Sequence, residues 1–594
     1  MKNIMVCAAM AIAAIAGGCA SQSAGSVDKA TAISVAPKPA TPVGDWHGTV
    51  SRPPGVTYRL GFHFEEASPG AFSGSVESPD MGAPKTPLAE VTLADNTLSF
   101  AVPASRTSFK GTWDAAAGAW VGDYIHPAGA SQLKLVSGVM PPMPPLPAVA
   151  GLDGRWEGKV QAALPVVVRV KTDVNGTVVR IDLPPQATDI PASTLTREGA
   201  RVRFSIAGYA MSYEGTLSAD GSVLTGAMSQ LGQALPLVLT HASSDMAPAV
   251  LSQRPQTPVK PYPYREEEVA FDNAAAPGVR LACSLTSPNS PGPHPAAVLI
   301  SGSGPQDRDA TVLGHKTFLV LADHLTRKGI AVLRCDDRGV GKSTGDFTKA
   351  TLDDFASDAE ASFAFLRTHP SVDPKRIGLI GHSLGTMIGP KAAAKHRDVA
   401  FLVMLAAAGV PGRDISIDQQ QAIARADGMP DKFLASSGAL WRKVVAIVNS
   451  SVDNASVRSS VLALLLAEGP SAYPTGMTEA VAKAEADRVS SDYVRGLQAY
   501  DPAKFLSNVR TPILAMNGSL DVQATPALNL GGLRKILAKH PDATVLEMPG
   551  LNHAFQHAKT GAMSEYVEIE ETFAPEALET ISSWIVKRAI ANGG

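Results

Sequence analysis

The hydrophobic pattern of this 594-residue chain changes at a proline-rich link, RPQTPVKPYPY, at residues 254–264. After the link, continuous aliphatic runs alternate with longer segments of helical periodicity. Continuous aliphatic runs are typical of strands buried on both faces, as in parallel sheets covered by helices. The eight runs are REEEVAF, VRLACSL, AAVLISG, IAVLRCD, RIGLIGH, AFLVMLAA, PILAMNG and ATVLEMP. We therefore predict an α/β domain over residues 263–594, with a mainly parallel sheet of eight strands.

The residues before the link contain an internal repeat with a different period. The segments GDWHGTV and SFKGTW of the first copy recur as GRWEGKV and SYEGTL in the second. Between them lie short alternating segments, separated by Gly, Asn, Asp and Pro, which indicate antiparallel strands. We predict two small all-β domains, residues 44–138 and 151–243, joined by the stiff linker MPPMPPLPAVA.

Trp46 and Trp156 stand near the start of the two copies. An aromatic residue at such a point most often fills the end of a β-sandwich or barrel, and stacking on a ligand or glycan is the alternative. No residue set in either copy looks catalytic. The copies are therefore expected to be spacers or binding modules, with cell-wall material or a glycan as the possible partner.

The first 43 residues are typical of an exported protein with a tether. An apolar run, short for a bilayer span, follows Met-Lys-Asn and ends in AGGCA. Cys19 stands where a bacterial lipoprotein is cleaved and acylated, although Ala16 replaces the usual Leu. We predict a signal peptide at 1–19, lipidation of Cys19 with ordinary signal cleavage as the alternative, and a disordered tether at 20–43. The expected location is the bacterial envelope, either periplasmic or membrane-anchored.

Composition excludes one class of partner and leaves a cysteine question open. The net charge is −3 and Lys and Arg form no basic stripe, so nucleic-acid binding is not expected. Of the four cysteines, Cys283 and Cys335 lie in strand-like runs beyond the signal. We expect buried free thiols there, with a disulfide as the alternative in an oxidising compartment.

Two serines have the spacing G-x-S-x-G, which is weak evidence by itself. Ser343 in GKSTG follows polar residues and precedes no helical pattern. Ser383 in GHSLG comes directly after IGLI and before the helical segment LGTMIGPKAAAKH. A strand that reverses into a helix within two residues crowds the backbone, and the small flanks Gly381 and Gly385 relieve that crowding. Ser383 is the predicted nucleophile.

A serine hydroxyl needs a base to take its proton, and an imidazole needs a carboxylate to hold its tautomer. His553 follows the last predicted strand and is the predicted base, with His557 as the alternative. Asp521 follows the penultimate strand and is the predicted acid, whereas Asp542 precedes the last strand, at the opposite edge. The chain order Ser383, Asp521, His553 is the one expected for this architecture.

Acyl transfer also needs N–H donors for the oxyanion that forms on the substrate carbonyl. The backbone N–H of Leu384, after the nucleophile, is one candidate, and that of Ser303 in SGSGPQDRD is the other, with Gly304 as the alternative. Residues 412–500 exceed an ordinary connection and have helical patterns, which predicts a lid over the strand ends. No metal or other cofactor is expected.

Together these motifs resemble the α/β-hydrolase superfamily, in particular secreted bacterial hydrolases of the serine aminopeptidase-like or prolyl-oligopeptidase-like kind. The resemblance covers about residues 265–594 through LISGSGPQDRD, CDDRGVGKSTGDF, GHSLG, NGSLDVQ and LNHAFQ. Many relatives have Glu directly after the nucleophile, where it can hold a substrate amino group. The Leu384 found here favours neutral esters.

The expected function is that of a metal-independent, exported serine hydrolase that cleaves carboxylic esters through an acyl-enzyme. A peptidase or amidase acting on small peptides is the first alternative, and an acyltransferase is the second. A protein of another class, which binds the envelope through the β-repeats, is the third.

Overall fold

The computed structural model describes residues 41–589 except 53–55, 103–104, 106, 127–128, 161–163, 184–186, 231–232, 245–253, 451, 473–476 and 478. The predicted signal peptide, Cys19 and residues 20–40 of the predicted tether lie outside the described residues. The described chain forms two compact units, one containing residues 41–244 and the other beginning at residue 254. Each helix among the described residues is too short or too polar to cross a bilayer.

In the described part of residues 44–137, nine antiparallel strands form one sheet. The strands are β1 (Gly44–Arg52), β2 (Val56–Ser68), β3 (Ala71–Ser78), β4 (Ala83–Pro87), β5 (Ala89–Ala94), β6 (Thr97–Val102), β7 (Thr107–Asp114), β8 (Ala119–His126) and β9 (Gly129–Ser137). Their order in the sheet is β4-β3-β2-β1-β9-β8-β7-β6-β5. The first strand thus pairs with both the second and the last, which brings the two ends of the copy together.

The second copy repeats this topology strand for strand. Its described strands are β10 (Gly154–Val160), β11 (Leu164–Asp173), β12 (Gly176–Leu183), β13 (Ala187–Pro191), β14 (Thr194–Glu198), β15 (Arg201–Ile206), β16 (Met211–Leu217), β17 (Val223–Gln230) and β18 (Gln233–Ser243). Their order is β13-β12-β11-β10-β18-β17-β16-β15-β14. The sequence repeat therefore corresponds to a repeat of the fold.

The two marker tryptophans occupy equivalent buried positions. Trp46 is 3% exposed and Trp156 is 2% exposed. Each indole Nε1 donates to the carbonyl oxygen four residues earlier, that of Pro42 at 2.6 Å and that of Leu152 at 2.8 Å. The packing interpretation is confirmed, because neither ring has a face available for stacking on a glycan.

The second unit contains an eight-stranded sheet and a separate two-stranded hairpin. Its described strands are β19 (Arg265–Asp272), β20 (Arg280–Ser287), β21 (His294–Ile300), β22 (Thr311–Val312), β23 (His315–Lys316), β24 (Ala331–Cys335), β25 (Val372–His382), β26 (Leu402–Leu405), β27 (Ile513–Gly518) and β28 (Ala543–Met548). The order in the large sheet is β19-β20-β24-β21-β25-β26-β27-β28. Pairing is antiparallel from β19 to β24 and parallel from β24 to β28.

Helices cover both faces of this sheet. The described helices are α1 (Thr317–Arg327), α2 (Leu352–Thr368), α3 (Gly385–Lys395), α4 (Gly412–Ala426), α5 (Asp431–Val448), α6 (Asn454–Ala472), α7 (Glu479–Val489), α8 (Asp492–Ala499), α9 (Pro502–Leu506), α10 (Pro526–Ile536) and α11 (Pro575–Ala589). Along β21, Ala296 and Val298 pack in one apolar cluster with α2, α3 and α10. Ala297 and Leu299 pack in the other cluster, with α1 and α11. Successive strand residues point to opposite faces, which explains why β21 is apolar throughout.

Helix α2 begins where the sequence supplies a reciprocal cap. The side chain of Thr351 accepts from the Asp354 N–H, and the Asp354 carboxylate accepts from the Thr351 N–H. Its apolar stripe contains Phe355 and Phe363, which are buried against the sheet. This helix and α3 support β25, the strand that leads into the predicted nucleophile.

The two cysteines of the second unit are joined, so the expectation of free thiols is wrong. Cys283 on β20 and Cys335 on β24 lie directly opposite each other in the antiparallel pair and form a disulfide. The two residues are 52 positions apart in the chain. Local sequence patterns do not show which strands become neighbours, and this pairing depends on that neighbour relation.

We predict that reduction of this disulfide destabilises the second unit. A cross-link that closes a loop of this length restricts the unfolded chain and stabilises the fold by roughly 3–4 kcal/mol in the chain-entropy account. Urea unfolding with and without a thiol reductant measures the loss, with a Cys283→Ala/Cys335→Ala variant as the control that no reductant should affect. Alkylation of Cys283 in unreduced, denatured protein would contradict the pairing.

Candidate active site

Ser383 occupies a strained turn between β25 and α3. Its φ is 53°, in the left-handed region that non-glycine residues rarely adopt. A Cβ atom on Gly381 would lie 2.2 Å from the carbonyl oxygen of Gly385, and one on Gly385 would lie 2.3 Å from that of Ile300. Any side chain at either flank would therefore collide with backbone, as the crowding argument predicts.

His553 and Asp521 meet at the carboxyl edge of the sheet. The imidazole Nδ1 lies 2.9 Å from each carboxylate oxygen of Asp521. The Asp521 Oδ1 also accepts from the backbone N–H groups of Gln523, at 2.8 Å, and Ala524, at 2.7 Å. An ionised carboxylate can only accept, so Nδ1 donates its proton to Asp521 and Nε2 is the basic nitrogen.

The predicted nucleophile, Ser383, lies near this pair because its neighbour in the chain, His382, contacts His553. The ring of His382 packs against the ring of His553 with centroids 5.1 Å apart. Among the hydrogen bonds of the described residues, none joins the Ser383 hydroxyl to His553. Hydrogen bonds between a nucleophile and its base are often long before substrate binds and shorten in the complex.

His382 is a residue of the site that the sequence reasoning missed. Its Nε2 donates to the carbonyl oxygen of His553 at 3.0 Å. Burial lowers the pKa of His382 to about 4, so its imidazole stays neutral at physiological pH. The sequence signal that could have identified His382 is its position next to Ser383 in the segment GHSLG. His382 thus connects the turn at Ser383 to the loop that contains His553.

The two predicted oxyanion donors belong to the segments next to Ser383. Leu384 precedes the first residue of α3, and the N–H groups at the start of a helix have no partner within the helix. Gly302, the residue before Ser303, lies close to the Ser383 turn, since a Cβ on Gly302 would lie 3.5 Å from the Cβ of Ser383. Gly304, the alternative donor, has a φ of 91°.

The alternative base and the two rejected candidates make other contacts. The Ser343 hydroxyl is buried and donates to the carbonyl oxygen of Asp336 at 2.8 Å. His557 is more than half exposed and pairs with two glutamates. Asp542 pairs with Arg588 on the last helix. None of the three contacts the His553–Asp521 pair in the described hydrogen bonds and ion pairs.

Helices α4–α8 form the predicted insertion and have an apolar core of their own. Leu440, Val444, Val461 and Leu465 are all buried in it. These side chains therefore pack against one another within the insertion. The insertion also supplies Tyr493, which lies close to Ser303 and whose pKa is raised by burial.

Comparison with known proteins places this domain among hydrolases. Residues 315–489 match the family described as serine aminopeptidase, S33. Over 332 residues the chain is 26% identical to esterase EstD of Thermotoga maritima. This match covers 55% of this chain and 69% of that protein. Over 123 residues it is 32% identical to polyketide transferase ATR5 of Stachybotrys chlorohalonatus, which covers 20% of this chain and 40% of that protein.

Among solved structures, Est1E of Butyrivibrio proteoclasticus with bound ferulic acid is 18% identical, with a TM-score of 0.32. The match covers 54% of this chain and 98% of Est1E.

The matched family region contains Ser383 and ends before Asp521 and His553. The assignment of the acid and the base therefore depends on the contacts described above.

We predict that Asp521→Asn lowers kcat by roughly 10³–10⁴-fold, because an amide can donate to the imidazole and favour the wrong tautomer. Ester hydrolysis at saturating substrate measures the effect. Asp542→Asn is the matched control, since that carboxylate pairs with Arg588, and its kcat should remain within twofold. Equal losses in the two variants would contradict the assignment of the acid.

Proposed function

We propose, from the premise that the second unit is an α/β-hydrolase domain similar to the serine aminopeptidases, that this protein is a serine hydrolase of carboxylic esters. The observation that supports this most directly is the His553–Asp521 contact at 2.9 Å beside the strained Ser383 turn. Strained nucleophile turns after a parallel strand are typical of this fold.

In the proposed reaction, the Ser383 oxygen attacks the acyl carbon of the ester while His553 Nε2 takes the hydroxyl proton. Asp521 holds the ring and stabilises the imidazolium that forms. The tetrahedral oxyanion accepts N–H donation from Leu384 and Ser303. His553 then gives its proton to the leaving alcohol, and the carbonyl re-forms on an acyl-Ser383 ester.

The second half of the reaction returns Ser383 to its starting state. A water molecule loses a proton to His553 Nε2 as its oxygen attacks the acyl carbon. The second tetrahedral intermediate collapses with release of the carboxylic acid, and His553 returns the proton to the Ser383 oxygen. The two half-reactions use the same donors, so one oxyanion site serves both.

Two observations support esters over peptides as substrates. Position 384 is Leu, so the residue after the nucleophile offers no carboxylate for a substrate amino group. Among the curated relatives, the one matched over 332 residues is named as an esterase. A serine peptidase acting on small peptides is the second candidate, supported by the family description of the matched region.

We predict that a fluorophosphonate labels Ser383 covalently and that Ser383→Ala loses hydrolysis of p-nitrophenyl butyrate by roughly 10⁴–10⁶-fold. Peptide mapping identifies the modified residue. Ser343 is the internal comparison, because it has the same motif spacing but its hydroxyl is buried against main-chain groups. Label on Ser343, or full activity in Ser383→Ala, would overturn the proposed mechanism.

Turnover of aminoacyl anilides at a higher kcat/KM than matched aryl esters would favour the peptidase candidate. The same Ser383→Ala variant must abolish both reactions if one site performs them. The ratio of the two kcat/KM values then measures the preference for an ester over an amide.

We further propose that the protein is exported and tethered to a membrane through acylated Cys19. The support is the AGGCA segment after a short apolar run. Metabolic labelling with an alkyne fatty acid should mark the wild-type protein and not Cys19→Ala. Secretion of the unlabelled wild-type protein in soluble form would contradict the tether and leave export standing.

A further inference from the structure

The predicted oxyanion donor Ser303 lies in a short loop that contains two glycines. This segment, Ser301–Gln306, is called the oxyanion loop. It follows β21, and its second residue, Gly302, lies close to Ser383. It contains Gly302 and Gly304, and the φ of Gly304 is 91°. A loop of this composition has many accessible conformations, so something outside it must fix the direction of the Ser303 N–H.

Asp337 contacts both ends of the oxyanion loop. The Ser301 hydroxyl donates to Asp337 Oδ1 at 2.6 Å, and the Gln306 N–H donates to Oδ2 at 2.9 Å. The Asp337 N–H donates in turn to the Gln306 carbonyl oxygen at 3.1 Å. The Gln306 amide then donates to the carbonyl oxygen of Ser303 at 3.2 Å. One carboxylate therefore joins the first and last residues of the loop.

The preceding residue fixes the chain just beyond the loop. Asp336 accepts from the backbone N–H of Arg308 at 2.9 Å and pairs with its guanidinium group at 2.9 Å. Both aspartates belong to the segment CDDRGVG after β24, which the proposed triad does not use. The carboxyl end of β24 thus supports the carboxyl end of β21, its neighbour in the sheet.

We propose, on the basis of the hydrolase function proposed above, that Asp337 is a positioning residue whose carboxylate closes the oxyanion loop and aims the Ser303 N–H at the developing oxyanion. An oxyanion donor is useful only when it already points to where the charge develops. Asp337 therefore lowers the energy of the transition state indirectly, by orienting the Ser303 N–H. Its own side chain does not contact the substrate.

Fold stability does not explain an ionisable group at this position. Burial, together with the negative charges of Asp358 and Asp336, raises the pKa of the Asp337 carboxyl to about 7. A carboxyl whose pKa is raised in the folded state stabilises the fold at low pH and loses that contribution as the pH rises through the folded value. At pH 8 the ionised carboxylate is therefore less favourable to the fold than the protonated carboxyl would be.

The charged and titratable groups around this carboxyl come from four elements. They are Asp336 and Arg308 of the neighbouring loops, Arg338 and Asp358, which pair with each other, and Tyr493 of the lid. The two arginines pair with the two other aspartates, so neither neutralises Asp337 directly. Two hydrogen-bond donors of the oxyanion loop are thus its main stabilising partners.

The test measures p-nitrophenyl butyrate hydrolysis at pH 8, with active sites counted by fluorophosphonate titration. We expect Asp337→Ala to lower kcat per titrated site by about 10²-fold, the order of one lost oxyanion donor, and to leave KM within about threefold. Asp337→Asn should lower kcat by roughly 10-fold, because it retains the shape of the side chain and one acceptor. Its melting temperature at pH 8 should equal or exceed that of the wild type.

A role confined to folding gives the opposite pattern. It lowers the melting temperature and the number of titrated sites, while kcat per titrated site stays unchanged. Ser301→Ala supplies a second route, because it removes one donor to the same carboxylate. If both substitutions act by removing the Ser301–Asp337 hydrogen bond, the kcat of the double variant Ser301→Ala/Asp337→Asn is no lower than that of Asp337→Asn alone.

Asp373→Asn is the control aspartate, because Asp373 lies at the amino end of β25 and pairs there with Arg376. If wild type is active, Ser383→Ala is inactive and both Asp337 variants keep kcat within twofold, the positioning role is overturned and the hydrolase function stands. Losses that multiply in the double variant also overturn it. An inactive, unlabelled wild type overturns the hydrolase function itself.

Discussion

The reversal of β25 into α3 within two residues is the constraint on which the candidate site depends. It forces a left-handed φ of 53° on Ser383 and leaves no room for a Cβ at Gly381 or Gly385. The backbone of a non-glycine residue in this region is strained, so surrounding structure must hold it. The Ser383 N–H donates to the Leu405 carbonyl oxygen of the next strand at 2.8 Å, which provides part of that support.

The other parts of the site come from neighbouring strand ends. Asp521 follows β27 and His553 follows β28, so their contact depends on the parallel pairing of those two strands. His382 then joins the nucleophile turn to the His553 loop through a single carbonyl. On the opposite side, Asp337 after β24 closes the loop after β21. Each loop is short, and each is fixed by a polar group from another strand end.

The remaining parts of the chain have cores of their own. Each β-copy encloses its marker tryptophan, and the lid helices pack mainly on one another. Separate cores are expected in a chain of this length, because a single hydrophobic core stops growing beyond about 250–300 residues. Changes within the core of these helices can therefore leave intact the sheet that positions the candidate triad.

The sequence by itself determined the local features: the period-two copies, the eight aliphatic strands, the glycines beside Ser383 and the three residues after strand ends. These follow from backbone geometry and burial, which act over a few residues. Only the tertiary structure decided the Cys283–Cys335 bond, the His382 contact and the two contacts of Asp337. Each of these joins residues brought together by strand order, and strand order depends on packing across the whole sheet.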